Sequence, residues 1–176
     1  MATNPGGQHR RLIRTIIAQW FTAQRIIGLD HVYRSLPPDW YFELYRRGQA
    51  DYSCLAAVVI PTDSEDFTAF SGPTSPGGVT IHYPVELHIR HRSYTPGEQD
   101  WADDEDDYDR IYDALKDCLR ASGRALGRPD VVLQAGVWPR QRGKVGRHTG
   151  PVMVAASAVD RAGVLMFTVT QNVLLP

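Results

Sequence analysis

Residues 81–92, IHYPVELHIRHR, decide the fold of this chain. Every odd position from 81 to 89 is apolar, while polar residues such as His82, Glu86 and His88 stand between them. An alternation with a period of two predicts a β-strand with one buried face and one polar face. Pro84 has no backbone N–H to donate to a neighbouring strand, so it predicts an edge position or a bulge within this strand.

The segments on either side of this strand predict two main helices. Residues 11–27 repeat apolar side chains at three- and four-residue steps, and Gly28 is well placed to end that helix. A second helix is centred on 108–119, with acidic residues in its first turn that complement the helix dipole, and Gly123 follows it. The remaining predicted elements are strands at 29–35, 50–60 and 131–138, a brief helix at 40–47 that Asp39 caps, and a closing hairpin of 152–159 and 164–173 that turns at 160–163.

These elements predict an α+β layered fold. We expect a mixed, mostly antiparallel β-sheet packed against two main helices, with long loops and a C-terminal β-hairpin. The 176 residues fit a single domain, residues 1–176, in which 1–10 form a flexible N-terminal arm. Long loops are expected at 61–79, 92–104 and 139–150, and loops of this length usually carry function.

Composition narrows the classes of partner. A net charge of −1 and a pI near 6.6 argue against a general nucleic-acid-binding protein, which usually has a strongly basic domain. The longest apolar runs fall far short of the ~20 residues that span a bilayer, so we expect no membrane partner. The N-terminal segment lacks the apolar core of a signal peptide, which predicts synthesis in the cytoplasm.

The small net charge hides two oppositely charged segments. Residues 98–109, EQDWADDEDDYD, carry eight acidic residues and no basic one, whereas residues 140–148, RQRGKVGRH, carry four basic residues and no acidic one. The two segments can pair within one chain, or they can join neighbouring copies head to tail. A helix start accounts for part of the acidic segment, but no helix accounts for the basic loop.

The sequence offers little for catalysis or metal binding. His82 and Glu86 lie about 13 Å apart on a strand and cannot share a metal ion directly, which favours solvated or interfacial histidines. The acidic segment lacks the alternating ligands and central glycine of an EF-hand loop. Cys54 or Cys118 could form a catalytic dyad with a histidine, but their spacing does not require it. The simpler interpretation is that both cysteines are small core residues. We therefore expect no enzyme, no cofactor, and no catalytic or metal-binding residue.

Candidate contact residues lie in the loops and charged segments. Aromatic residues within loops are typical interface anchors, although they can equally pack on their own domain. Opposite charges across an interface set register and encounter rate. The candidates are Phe67, Phe70, Glu98, Asp100, Trp101, Asp103, Asp104, Arg140, Arg142, Lys144 and Arg147.

Four segments together resemble one family of viral proteins. They are IGLDHVYRSLPPDW (27–40), YPVELHIRHRSY (83–94), DDYDRIYDALKDCLRA (106–121) and VMVAASAVDRAGVLMFTVTQNV (152–173). In their order and local character, over most of residues 11–173, the chain resembles the tail terminator (tail completion) proteins of long-tailed bacteriophages. The long loop 61–79 and the acidic segment 98–109 depart from that pattern.

The resemblance implies a structural protein of the virion tail at the head–tail junction, present in the host cytoplasm during assembly. Its copies would form a ring, a hexamer in that family, which caps the tail tube, stops tube polymerisation and joins tail to head. The implied partners are the chain itself, the tail tube protein and head–neck connector proteins, with passive contact to DNA crossing the ring. A related neck or head-completion connector is the alternative, followed by a small metal-dependent hydrolase and a nucleic-acid-binding module that uses the basic loop.

Overall fold

A computed structural model describes residues 5–38, 52–61, 67–70, 78–93, 101–121, 125–133, 154–155 and 158–174 of the chain. These ranges contain two helices and eight strands. In chain order the elements are α1 (Pro5–Ala23), β1 (His31–Tyr33), β2 (Tyr52–Val59), β3 (Phe67–Phe70), β4 (Gly78–Ser93), α2 (Trp101–Ala121), β5 (Ala125–Arg128), β6 (Val131–Leu133), β7 (Val154–Ala155) and β8 (Ala158–Leu174).

The sheet is built around its two longest strands, β4 and β8. They pair antiparallel over their shared length, from Gly78 opposite Leu174 to Ser93 opposite Val159. The main order is β1-β2-β4-β8-β6-β5, with β3 beside one end of β4 and β7 beside one end of β8. The β1–β2 pair is parallel and the other pairs are antiparallel. The predicted α+β fold, with a mixed, mostly antiparallel sheet and two main helices, is confirmed.

Strand β4 has the two faces that its alternating sequence predicts. The odd residues from Ile81 to Ile89 are buried, and the even residues from His82 to His88 are half-buried. Pro84 lies in the interior of the sheet opposite Thr168 of β8. On the other side of β4, the described pairing with β3 stops at Ile81 and that with β2 begins at Glu86. Among the described residues, Pro84 thus pairs only with β8.

Both helices pack on the face of the sheet that carries the odd residues of β4. Helix α1 buries Ile13, Ile17 and Phe21 almost completely, and each such side chain contributes roughly 1.5–3 kcal/mol to stability. The Phe21 ring meets that of Phe167 edge-on, with centroids 6.3 Å apart. Helix α1 contacts β1 and β2 near one end of the strand order and β5 at the other. The sheet therefore curls around α1.

Helix α1 begins and ends earlier than its apolar pattern predicts. It starts at Pro5, so residues 5–10 are helical and the prediction of a flexible arm over 1–10 is wrong there. Proline favours a helix start because the first N–H groups have no partner within the helix. The helix ends at Ala23, where Arg25 adopts a left-handed conformation with φ 51°. Gly28, with φ 88°, lies in the following turn instead of ending the helix.

The predicted turn of the closing hairpin at 160–163 is wrong. Residues 160–163 belong to the single strand β8, and the described antiparallel pair is that of β7 with the start of β8. Gly163 is opposite Ile89 and lies beneath α2, where a Cβ atom would stand 2.1 Å from the Tyr108 hydroxyl oxygen. This glycine permits close packing of the helix on the sheet. From the local sequence alone, a glycine needed for such packing looks the same as a glycine in a turn.

Two predicted loops contain regular structure. Strand β3 lies within the predicted loop 61–79 and pairs with the start of β4. Helix α2 begins at Trp101, so the end of the predicted loop 92–104 is helical, and acidic residues near its start suit the dipole. The short strand β5 was not predicted, because its bulge at Gly127 (φ 77°) breaks the alternation. The predicted helix at 40–47, Gly123, the loop 139–150 and the 134–138 end of the predicted third strand lie outside the described residues.

Replacing Gly163 by alanine should lower the free energy of unfolding by about 1–3 kcal/mol, because the new methyl group overlaps the buried Tyr108 hydroxyl. The cost should be smaller in a Tyr108→Phe background, which removes the overlapping oxygen. Gly127→Ala is the matched control, since open space surrounds its Cβ position and its cost of about 1 kcal/mol comes from backbone conformation. Urea denaturation of the wild type, Gly163→Ala, Tyr108→Phe and the double variant measures the coupling between residues 108 and 163. An equal cost of Gly163→Ala in both backgrounds would contradict this packing.

Candidate interaction surface

The face of the sheet opposite the helices carries polar residues. Glu86 and His88 stand two residues apart on β4, and the Glu86 Oε2 to His88 Nε2 distance is 2.8 Å. His82 lies farther along the same face, opposite Thr170. Among the described residues, no three His, Cys, Asp or Glu side chains are grouped as metal ligands would be. Glu86 and His88 therefore bond to each other on a half-buried surface.

Cys54 and His91 are neighbours that sequence reasoning could not bring together. They are direct partners across the β2–β4 pair, and both are completely buried. Burial raises the pKa of the Cys54 thiol far above its usual value, and the nearby Asp30 carboxylate raises it further. A nucleophilic cysteine needs the opposite shift, because the thiolate is the reactive form. Cys54 and His91 are thus core residues, and Cys54 is not an activated thiol.

Polar side chains join the start of α2 to the sheet, and all of them except the exposed Glu105 are mostly buried. The His91 and Tyr108 rings are 5.9 Å apart, and Arg161 lies 3.8 Å from Glu105 at the closest nitrogen–oxygen pair. Of these side chains, Tyr108 lies over Gly163, where α2 approaches β8. Apart from a period-two pattern at His91, the sequence held no signal for this group, because its members come from three distant segments.

The two helices carry opposite charge on one layer of the protein. Helix α2 contains eight acidic and three basic residues, and Glu105 and Asp106 are exposed near its start. Three of its acids hold basic residues one turn later: Asp107–Arg110 at 2.8 Å, Asp113–Lys116 at 2.5 Å and Asp117–Arg120 at 2.7 Å. Helix α1 contains three arginines and no acidic residue.

Of the eleven predicted contact residues, five lie within the described residues and six lie outside them. Phe67 and Phe70 lie at the two ends of β3 and not in a loop, which corrects their predicted setting. Trp101, Asp103 and Asp104 lie in the first turn of α2 and not before it. The other six candidates, Glu98, Asp100, Arg140, Arg142, Lys144 and Arg147, lie outside the described residues.

A groove runs between the end of α1 and the second half of α2. Its volume is about 620 Å³. Cys118 is half-buried in its wall, and burial together with the neighbouring Asp117 raises the pKa of this thiol. The residues that line the groove are Trp20, Gln24, Ala114, Asp117, Cys118 and Ala121.

Comparisons with protein-family models, with curated proteins and with solved structures gave no match to this chain. In the described ranges, neither helix combines the length and the hydropathy that crossing a membrane requires.

The two thiols should differ in reactivity. In the native protein at neutral pH, iodoacetamide should alkylate Cys118 slowly, and faster as the pH rises, because its pKa is raised but its side chain is partly exposed. Cys54 should react only after denaturation. Mass spectrometry of native and denatured samples counts the adducts, with Cys118→Ser as the control. Rapid native alkylation of Cys54 would instead indicate a thiol activated by His91.

Proposed function

We propose that this protein is a structural virion subunit, a tail terminator whose copies form a ring on the tail tube. The ring stops tube polymerisation and provides the surface that joins tail to head, at the head–tail junction of the virion. Two observations support this proposal. The sequence resembles that family over most of residues 11–173, and the α+β architecture is compatible with the compact subunit that the resemblance implies.

The observation that carries the proposal is the separation of charge between two helices of one layer. Before Asp30 the chain contains four arginines and no acidic residue, whereas α2 has an excess of five negative charges. Asp106 on α2 and Arg11 on α1 are both exposed. A head-to-tail contact in which the acidic surface of one copy meets the basic surface of the next forms a ring when the rotation between copies closes. The charges set register and encounter rate.

The basic loop residues Arg140, Arg142, Lys144 and Arg147 extend the same proposal. They belong either to the basic side of the ring contact or to the channel through which DNA passes. In this role the protein needs no cofactor. Its partners are further copies of itself, the tail tube protein and the head–neck connectors.

Negative-stain electron microscopy of the purified protein should show rings with a central hole, which become fewer as salt screens the charged contact. Asp106→Asn should weaken assembly, since it removes an exposed charge from the acidic surface. Asp113→Asn is the matched control, because Asp113 is exposed to a similar degree but is paired with Lys116 within its own helix. Equal assembly of both variants would contradict a charged contact at the start of α2.

Mixing the protein with tail tubes separates the alternatives. A terminator should bind tube ends and limit tube length, whereas a neck or head-completion connector should bind neck proteins and leave tube length unchanged. Stoichiometric bound metal with chelator-sensitive hydrolysis would replace the proposal by an enzyme. DNA affinity that falls when Arg140, Arg142, Lys144 and Arg147 are neutralised, without any effect on tubes, would favour the nucleic-acid-binding module.

A further inference from the structure

The turn after α1 holds an aliphatic side chain in solvent. Ile27 is 78% exposed, more than any other large apolar side chain among the described residues. The Leu29 N–H donates to the Ile26 carbonyl oxygen at 3.2 Å, which closes a four-residue turn, and Gly28 supplies the positive φ of 88° that its third position needs. Ile27 therefore projects from the second position of a closed turn.

Both sides of this turn are anchored. Before it, the Gln24 side-chain amide donates to the Trp20 carbonyl oxygen at 3.1 Å. After it, the Asp30 N–H donates to the Cys54 carbonyl oxygen, and the Cys54 N–H donates to Asp30 Oδ2, each at 2.9 Å. Because the turn is held at both ends, Ile27 can enter a partner with little loss of conformational freedom. An exposed apolar side chain on a preorganised turn has the properties of an interface anchor.

The groove between α1 and α2 is a matching receptor. Trp20 and Cys118 are half-buried in it, and the small side chains of Ala114 and Ala121 leave room for an aliphatic group. Asp117 stands at its rim with 67% of the side chain exposed and holds Arg120 through Oδ1. Arg25, an exposed cation two residues from Ile27, is complementary in charge to the Asp117 carboxylate, which it would share with Arg120.

The exposed turn follows the α1 wall of the groove along the chain. Gln24 lines the groove, and Ile27 follows it by three residues. When a projection and its receptor are adjacent, a two-fold axis between two copies brings each projection to the other copy's groove, and the contact closes at two copies.

We propose that two copies of this chain pair through a two-fold contact in which Ile27 of each copy enters the α1–α2 groove of the other. Arg25 of each copy then lies at the acidic rim formed by Asp117 of the other. The contact goes beyond the proposed ring and does not depend on it. A contact with one aliphatic anchor and one charge pair per copy is small and transient, so the dimer forms at high protein concentration.

Sedimentation velocity of the full chain over a range of concentrations tests the pairing. At a salt concentration that screens the charged ring contact, the wild-type protein should show a monomer–dimer step. Ile27→Gln should raise the Kd of that step at least about tenfold, because each dimer loses two anchors. Met166→Gln is the matched control, since Met166 is 42% exposed on the opposite face of the sheet and its loss should leave the Kd unchanged. Circular dichroism establishes that both variants are folded.

Two further sets of variants locate the contact. Ala121→Tyr fills the groove from an exposed helix end and should also weaken the dimer. Arg25→Glu and Asp117→Arg should each weaken it, and the combined variant should recover much of the loss through the reversed pair. A dimer step that Ile27→Gln leaves unchanged, or a wild-type protein without such a step at any concentration, overturns the pairing. Normal capping of tail tubes by Ile27→Gln would leave the ring proposal intact, so the two proposals fail independently.

Discussion

The pairing of β4 with β8 is the constraint on which the rest of the structure depends. The two strands run antiparallel over their shared length in the middle of the sheet, and the shorter strands are added on either side. Their register sets Leu87 opposite Leu165 and Val85 opposite Phe167, which creates the apolar face that both helices cover. A slip of one residue would turn this face to the wrong side of the sheet, so the register is strongly specified.

Regular patterns made part of this fold predictable from sequence. The period-two alternation in β4 and the helical spacing in α1 and α2 come from one-sided burial, which leaves its mark on neighbouring positions of the same element. Gly163 shows where such reasoning stops. Its local sequence, Asp-Arg-Ala-Gly, is typical of a turn, but the glycine is needed because Tyr108, 55 positions earlier, packs against it. When a distant segment requires a residue, the sequence around that residue shows no periodic pattern.

The candidate surface was predictable in charge but not in position. The acidic segment could be read from the sequence, but the helix that carries it begins seven residues earlier than the apolar pattern at Tyr108 suggested. Acidic side chains at a helix start carry no apolar periodicity, so they look like a loop. The pairing of Cys54 with His91, the groove at Trp20 and the exposed turn at Ile27 all depend on how separate elements meet. Composition and residue spacing contain no information on which elements contact each other.

The long β4–β8 pair has a consequence for how the chain is made. Gly78 and Leu174 are opposite each other in the sheet, although nearly a hundred residues separate them. Contacts between such distant positions close late and slow the folding reaction. During synthesis, β2 and β4 emerge from the ribosome long before β8, and until then the central edge of β4 has no neighbour. An uncovered edge of this kind invites pairing with other chains, so rapid completion of synthesis or protection by a chaperone should improve the yield of soluble protein.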